Sequence, residues 1–235
     1  GFNVQAEPFD DVRVRQAINH AIDVDLIVET IYTGQAERAV SPISSDVFGA
    51  NLDLEPYTYD PELARELLAE AGYPDGFSTS IWTNDNPQRM EIAEIVQAEL
   101  ANIGVQVDVQ VVEWGTYLAD TAAGLHDMFI LGWVTVTGDA DYGLYALFHS
   151  SQFGDPGNRT FYANERVDEL LDAARVETDP DTRVELYAEA QEILQEDAPW
   201  IFLIVTTEEH GVSNAIEGFV PHPAGHHRLY NVTKN

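Results

Sequence analysis

The chain has no cysteine and a single lysine, Lys234. Without thiols, neither a disulfide framework nor a thiolate metal site is available. Basic residues are scarce: 11 Lys and Arg face 41 Asp and Glu, for a formal net charge of −30. A field of that sign repels phosphate backbones and argues against nucleic acid as a partner. No apolar run approaches the roughly 18 residues of a membrane-spanning helix. There is no Gly-rich phosphate loop, no Gly-x-Ser-x-Gly elbow and no His-Glu-x-x-His helix, so no local motif announces nucleotide, acyl-transfer or zinc chemistry. The chain opens abruptly at Gly1-Phe2-Asn3-Val4, so a fragment or a mature protein cut inside its precursor is expected.

Apolar residues make up 45% of the 235 residues and aromatics 10%, enough for a sizeable core. The acids fall on nearly every expected helix and are not gathered in one tail. Self-repulsion on that scale is relieved when salt screens it, so an acidic-surfaced protein of concentrated salt, from a halophile, is expected.

Apolar spacing and capping residues predict helices over 11–22, 23–32, 60–71, 86–103, 114–123, 142–148, 164–176 and 180–196. Residues 35–59, with Pro42 and Pro56, read as irregular. Strands are predicted over 77–82, 105–111, 128–131 and 200–205. Strand, helix and strand over about 35 residues make a βαβ unit, so the class is α/β with a partly parallel sheet.

The stretch 128–131 is a short apolar run, the pattern of a strand buried on both faces. It loosens into Gly132, Trp133, Thr135, Thr137, Asp139 and Asp141. In open α/β sheets ligands sit outside the carboxyl ends of strands, so this segment is the candidate half of a ligand cleft. Tyr142 follows it, and Trp114 opens another helix where a flat ring can face a ligand. A solvated strand-to-helix loop is the plain alternative.

Other chemistry is thinner. Asp139 and Asp141 suit a carboxylate-pair hydrolase, but any two acids carry little weight among 41. The same residues fail the calcium-loop pattern at its fifth and twelfth positions, where Gly143 and Ser150 stand. His222, His226 and His227 are the right ligand type for a transition metal, in a Pro- and Gly-containing loop. Asn158-Arg159-Thr160 and Asn231-Val232-Thr233 are N-glycosylation acceptor triplets. Neither a cofactor nor a resident metal is expected.

Several ordered blocks together carry a resemblance. They are Pro8 to Ile18 with Ala21-Ile22-Asp23; Tyr59-Asp60-Pro61 through Tyr73, with Asp75-Gly76-Phe77; Leu100 through Val105; Gly132-Trp133; and Leu186-Tyr187 through Pro199. The chain resembles the solute-binding proteins of ABC importers in the dipeptide, oligopeptide and nickel group, family 5. The resemblance implies a periplasmic-binding-protein-like (type II) lobe, a mixed sheet flanked by helices. Residues 1–205 are then the C-terminal ligand-binding lobe of a two-lobed protein, and 206–235 a tail with crossover strands toward a missing N-terminal lobe. It further implies an extracellular, membrane-anchored monomer that delivers a peptide-like solute to a permease and is not an enzyme. Many peptide binders of the family place an Asp three residues after the Trp to hold an ammonium group; here Val136 stands there, leaving Asp139 or Asp141 for that role. The segment 137–141 is also similar to members that take glutathione-like compounds, and a sugar or metal complex is a further alternative solute.

Overall fold

Nearly every helix begins where the sequence supplies a side-chain oxygen. In the computed structural model, which describes residues 1–235, α1 (Val12–Ala21) is capped by Asp11, which accepts from Arg13 N. Asp23 caps α2 (Val24–Ile27), which runs into a π-helical turn at Val28–Tyr32. Then come β1 (Ala36–Arg38), α3 (Pro61–Glu70) capped by Asp60, and β2 (Ser78–Thr83). Asn86 caps α4 (Pro87–Ala101); β3 (Gln106–Val111), α5 (Trp114–Ala122) and β4 (Met128–Phe129) follow. The chain continues through α6 (Ala140–Phe148), α7 (Glu165–Val176), α8 (Pro180–Asp197), β5 (Ile204–Thr206), β6 (Ile216–Glu217) and β7 (Thr233–Lys234).

The central sheet has the order β3-β2-β4, and its strands are parallel. On the outer side of β4 the start of the chain adds an antiparallel bridge between Phe2 and Met128, so the sheet is mixed. Asn3 N donates to Asp127 O at 2.8 Å and Phe129 N to Gly1 O at 2.9 Å.

Two strands differ from expectation. The run 128–131 forms a ladder only at Met128 and Phe129, although Ile130 N still donates to Trp82 O at 3.0 Å. The run 200–205 pairs only over Ile204–Thr206, against β1, a strand inside the stretch expected to be irregular. That partner is about 170 residues away, so no local pattern signals it.

The interior divides in two. One cluster of 23 buried residues joins α1 to α4 with β2, β3 and β4, around Phe9, Ile18, Leu68 and Leu100. The other, of 13, joins α6, α7 and α8 around Leu144, Phe148, Leu170 and Tyr187. Arg15 ties the halves: its guanidinium donates to Asp197 O at 2.6 and 2.8 Å and to Phe9 O at 2.7 Å. Residues 206–235 lie mostly exposed beyond both clusters, with β6 and β7 paired to each other.

Asn158 is wholly buried, and its amide donates to His149 O and Tyr162 O. A glycan cannot be attached there in the folded chain. Asn231 is exposed.

Candidate functional site

Because β2, β3 and β4 are parallel, their carboxyl ends share one edge. Three segments leave it: Asn84 to Asn86, Val112 with Glu113, and the long passage 130–139. Trp114 begins α5 at this edge, 43% exposed, stacked on Tyr117 with ring centroids 5.9 Å apart. The Tyr117 hydroxyl donates to Ile130 O at 2.6 Å and so fixes the start of the long passage.

The passage spans the two cores. It leaves the sheet at Ile130 and ends in α6, whose N-cap is Asp139. Its far end is stitched to residues 48–50: Phe48 N donates to Gly138 O at 3.0 Å and Ala140 N to Phe48 O at 2.9 Å. Gly143 explains how closely α6 approaches, since a Cβ there would stand 2.6 Å from Ile43 Cγ2 and 3.2 Å from Thr135 Oγ1.

Trp133 lies half-buried against the helical core, its ring 5.2 Å from that of Tyr142. Its indole Nε1 is buried without a hydrogen-bond partner. Tyr142, Val134 and Val136 are exposed. Thr137 Oγ1 accepts from Asp139 N at 3.3 Å and donates to Asp139 O at 3.4 Å, both long bonds.

The two acids are engaged within the chain. Asp139 Oδ1 accepts from Asp141 N at 3.0 Å as the cap of α6, and Arg183 grips the carboxylate with two bonds of 3.0 Å. That pair raises the Arg183 guanidinium above its ordinary pKa. Asp141 Oδ1 lies 3.0 Å from Arg175 Nε. Burial pushes the Asp141 carboxyl up, and Arg175 opposes that shift. Arg175 itself sits 3.8 Å over the Tyr145 ring. An ammonium group arriving here therefore meets acids that already face arginines, Asp139 through two hydrogen bonds and Asp141 by proximity alone, its Oδ1 having no hydrogen-bond partner. In the sequence both are loop acids ahead of the helix pattern at 142–148; an Asp three residues before that pattern is a local cap signal, but the distant arginines have none.

Arg89 carries no motif or spacing in the sequence that marks it. It lies in the first turn of α4, donates to Asn84 Oδ1 at 3.1 Å, and has its guanidinium carbon 5.9 Å from the Trp114 ring centroid. A Cβ on Gly132 would stand 3.3 Å from Arg89 Nη2. Arg89 thus reaches segments leaving all three strands.

The histidines of the tail assemble differently from expectation. His210 and His227, with Glu208, bring one ligand atom each to within 4.8 Å of one another. His222 instead accepts from Ala224 N, and His226 is exposed. A depression of about 400 Å³ adjoins this group, lined by His210, Val212, Phe219 and Leu229 among others.

Comparison with known proteins gives the chain relatives. Residues 1–155 match the family model described as bacterial extracellular solute-binding proteins, family 5 middle. The dipeptide-binding protein of Escherichia coli is 35% identical over 237 residues, covering 99% of this chain and 44% of that protein. Heme-binding protein A of Haemophilus influenzae is 37% identical over 239 residues, covering 99% of this chain and 43% of that one. Among solved structures, an ABC transporter-associated periplasmic binding protein from Helicobacter pylori, in complex with the peptide STSA, is 41% identical. It superposes with a TM-score of 0.82 over 86% of this chain and 40% of its own. The chain thus spans somewhat less than half the length of the relatives it matches.

Proposed function

This chain belongs to family 5 of the bacterial extracellular solute-binding proteins, and we propose that it serves the capture of a peptide-like solute outside the cell. The solute is then handed to the membrane permease of an ABC importer. Residues 1–205 act as one lobe, and 206–235 carry crossover strands toward an N-terminal lobe that closes over the solute by a hinge. The whole protein works as a monomer held at the cell surface, without catalysis and without nucleic acid.

What supports this reading is the shared carboxyl edge of β2, β3 and β4: Trp114 begins the helix that follows β3, and the passage after β4 carries Trp133, Thr135 and Thr137, with Tyr142 packed on Trp133. Trp133 walls the solute, with Tyr142 and Trp114 offering further flat faces. Thr135 and Thr137 supply hydrogen bonds. Asp139 and Asp141 are the acids of this wall, and an ammonium group has to share them with Arg183 and Arg175.

One lobe offers only part of the contacts. Titration calorimetry of the 235-residue chain with a dipeptide mixture is expected to show weak binding or none. Submicromolar affinity would overturn the two-lobe reading. In the full-length protein, Trp133→Ala is expected to weaken dipeptide binding at least about tenfold; unchanged affinity would remove the edge from the site. The acid excess is read as adaptation to concentrated salt, so the melting temperature should rise from dilute buffer to molar salt. A flat response would defeat that part.

A further inference from the structure

The tail beyond β5 has little apolar packing to hold it. Most of residues 206–235 are exposed, and β6 and β7 pair only Ile216 with Lys234 and Glu217 with Thr233. A two-stranded ladder that short is marginal in water. Small units without a core of their own are fastened by disulfides or by a metal, and this chain has no cysteine.

Three side chains of the tail meet where a metal could do this. Glu208 and His210 are two positions apart, the spacing that puts side chains on one side of an extended chain. His210 Nε2 stands 3.5 Å from Glu208 Oε2. His227 comes from 17 residues further on. The turn that returns it is built on His222, whose Nδ1 accepts from Ala224 N at 3.2 Å and whose carbonyl accepts from Gly225 N at 2.9 Å. Gly225 adopts the φ of +71° that glycine tolerates best. The rings of His210 and His227 stand perpendicular with centroids 4.7 Å apart, and Phe219 packs edge-on against both.

Two imidazoles and a carboxylate are a donor set for a borderline divalent ion, zinc above all. Around tetrahedral zinc, with bonds of about 2.0–2.1 Å, neighbouring ligand atoms stand about 3.4 Å apart. The Glu208–His210 pair already has nearly that spacing. All three ligand atoms lie within 4.8 Å of one another, and rotation of the exposed Glu208 and His210 side chains can close the rest. A plain histidine–glutamate ion pair uses one imidazole and leaves its neighbour without a role.

We propose that Glu208, His210 and His227 bind a zinc-type divalent ion, with water completing its coordination. The ion clips the segment after β5 to the segment ahead of β7 and so orders the tail. Its ligands all lie in the tail, and the inference does not depend on the solute reading. His227 Nδ1 accepts a long bond of 3.3 Å from His222 N. Ligation through Nε2 moves the ring proton to Nδ1 and ends that bond, and ligation through Nδ1 replaces it. The His222 amide therefore reports the ion either way.

The test titrates zinc chloride into the untagged 235-residue chain, with magnesium in excess to occupy surface carboxylates. One zinc per chain is expected, shifting the NMR signals of the His210 and His227 rings and of the His222 amide. Amide exchange should slow at Ile216 and Asn235, whose N–H groups bond Ser213 O and Ala215 O. His210→Ala and His227→Ala should each weaken zinc binding at least about tenfold, and His226→Ala should leave it unchanged. Unshifted indole signals of Trp133 and Trp200 report an intact core in each variant. If zinc shifts His149, whose Nε2 lies 3.4 Å from Asp172, and not the tail pair, the proposal fails. If magnesium abolishes binding, acids alone hold the ion and the proposal fails. Unchanged exchange with zinc bound refutes the clip.

Discussion

The two halves of the molecule are held by different forces. The sheet half buries a large apolar cluster, and its arginines mostly give their hydrogen bonds to backbone carbonyls, as Arg15 and Arg65 do. The helical half has a smaller core rimmed with charge. Arg166 meets Glu189 at 2.7 Å, Arg175 meets Asp141, Arg183 meets Asp139, and Ser150 and His149 both approach Asp168. The passage 130–139 has one foot in each. Its start is fixed by burial and by Tyr117, its end by ion pairs. The difference teaches that the same loop should respond to salt at one end and hardly at the other.

Four perturbations probe this contrast. The largest effect belongs to the sheet core, where Leu100 is fully buried. Leu100→Ala is expected to cost about 2–5 kcal/mol, the range for a buried leucine leaving a cavity. Denaturant melts should give the same loss in dilute buffer and in molar salt; a strong salt dependence would break the distinction between halves.

His126 follows. It is buried beside Phe129, ring centroids 4.9 Å apart, and burial lowers its pKa to about 4. The unfolded chain, with an ordinary imidazole near 6.5, takes up the proton first as pH falls. Stability from this group is therefore complete above roughly pH 6.5 and lost on the way down to about 4, a change on the order of 3 kcal/mol. His126→Leu should flatten the pH dependence of the unfolding free energy across that window. An unchanged slope would show that other groups govern it.

Arg183→Met comes third. Both partners of its pair with Asp139 are partly exposed, so the expected loss is about 1 kcal/mol in dilute buffer and smaller in molar salt. Backbone amide exchange should quicken at Phe48 and Ala140, where the passage is stitched down, and remain unchanged at Ile130. Equal quickening at both ends would mean the loop moves as one piece.

The smallest effect is expected of Thr137→Ala. Its contacts to Asp139 are 3.3 and 3.4 Å and exposed, so stability should change by less than about 0.5 kcal/mol. A loss above about 1 kcal/mol would make Thr137 a structural residue of the turn and remove it from the list of solute contacts.

Much of the scaffold was legible because its signals are local. Asp60-Pro61 and Asp179-Pro180 announce α3 and α8, since a cap oxygen and a proline with its fixed φ act on the very next turn. The alternation of Val105, Val107 and Val109 marks β3, with Val105 and Val107 buried. The passage with Trp133 was legible as the exit of a strand. What stayed hidden was the company kept by Asp139 and Asp141: the arginines that meet them stand 44 and 34 positions further along, and no spacing rule joins them.

By itself, then, the sequence determined the α/β class, the helix starts, the strand that opens toward the candidate cleft and the excess of negative charge, all set by neighbours within a turn or a strand. Only the tertiary structure decided which charges cancel. It set Asp139 and Asp141 of the candidate cleft against Arg183 and Arg175 and left Arg89 without a carboxylate, because electrostatic pairing depends on distance through space, and folding alone sets that distance.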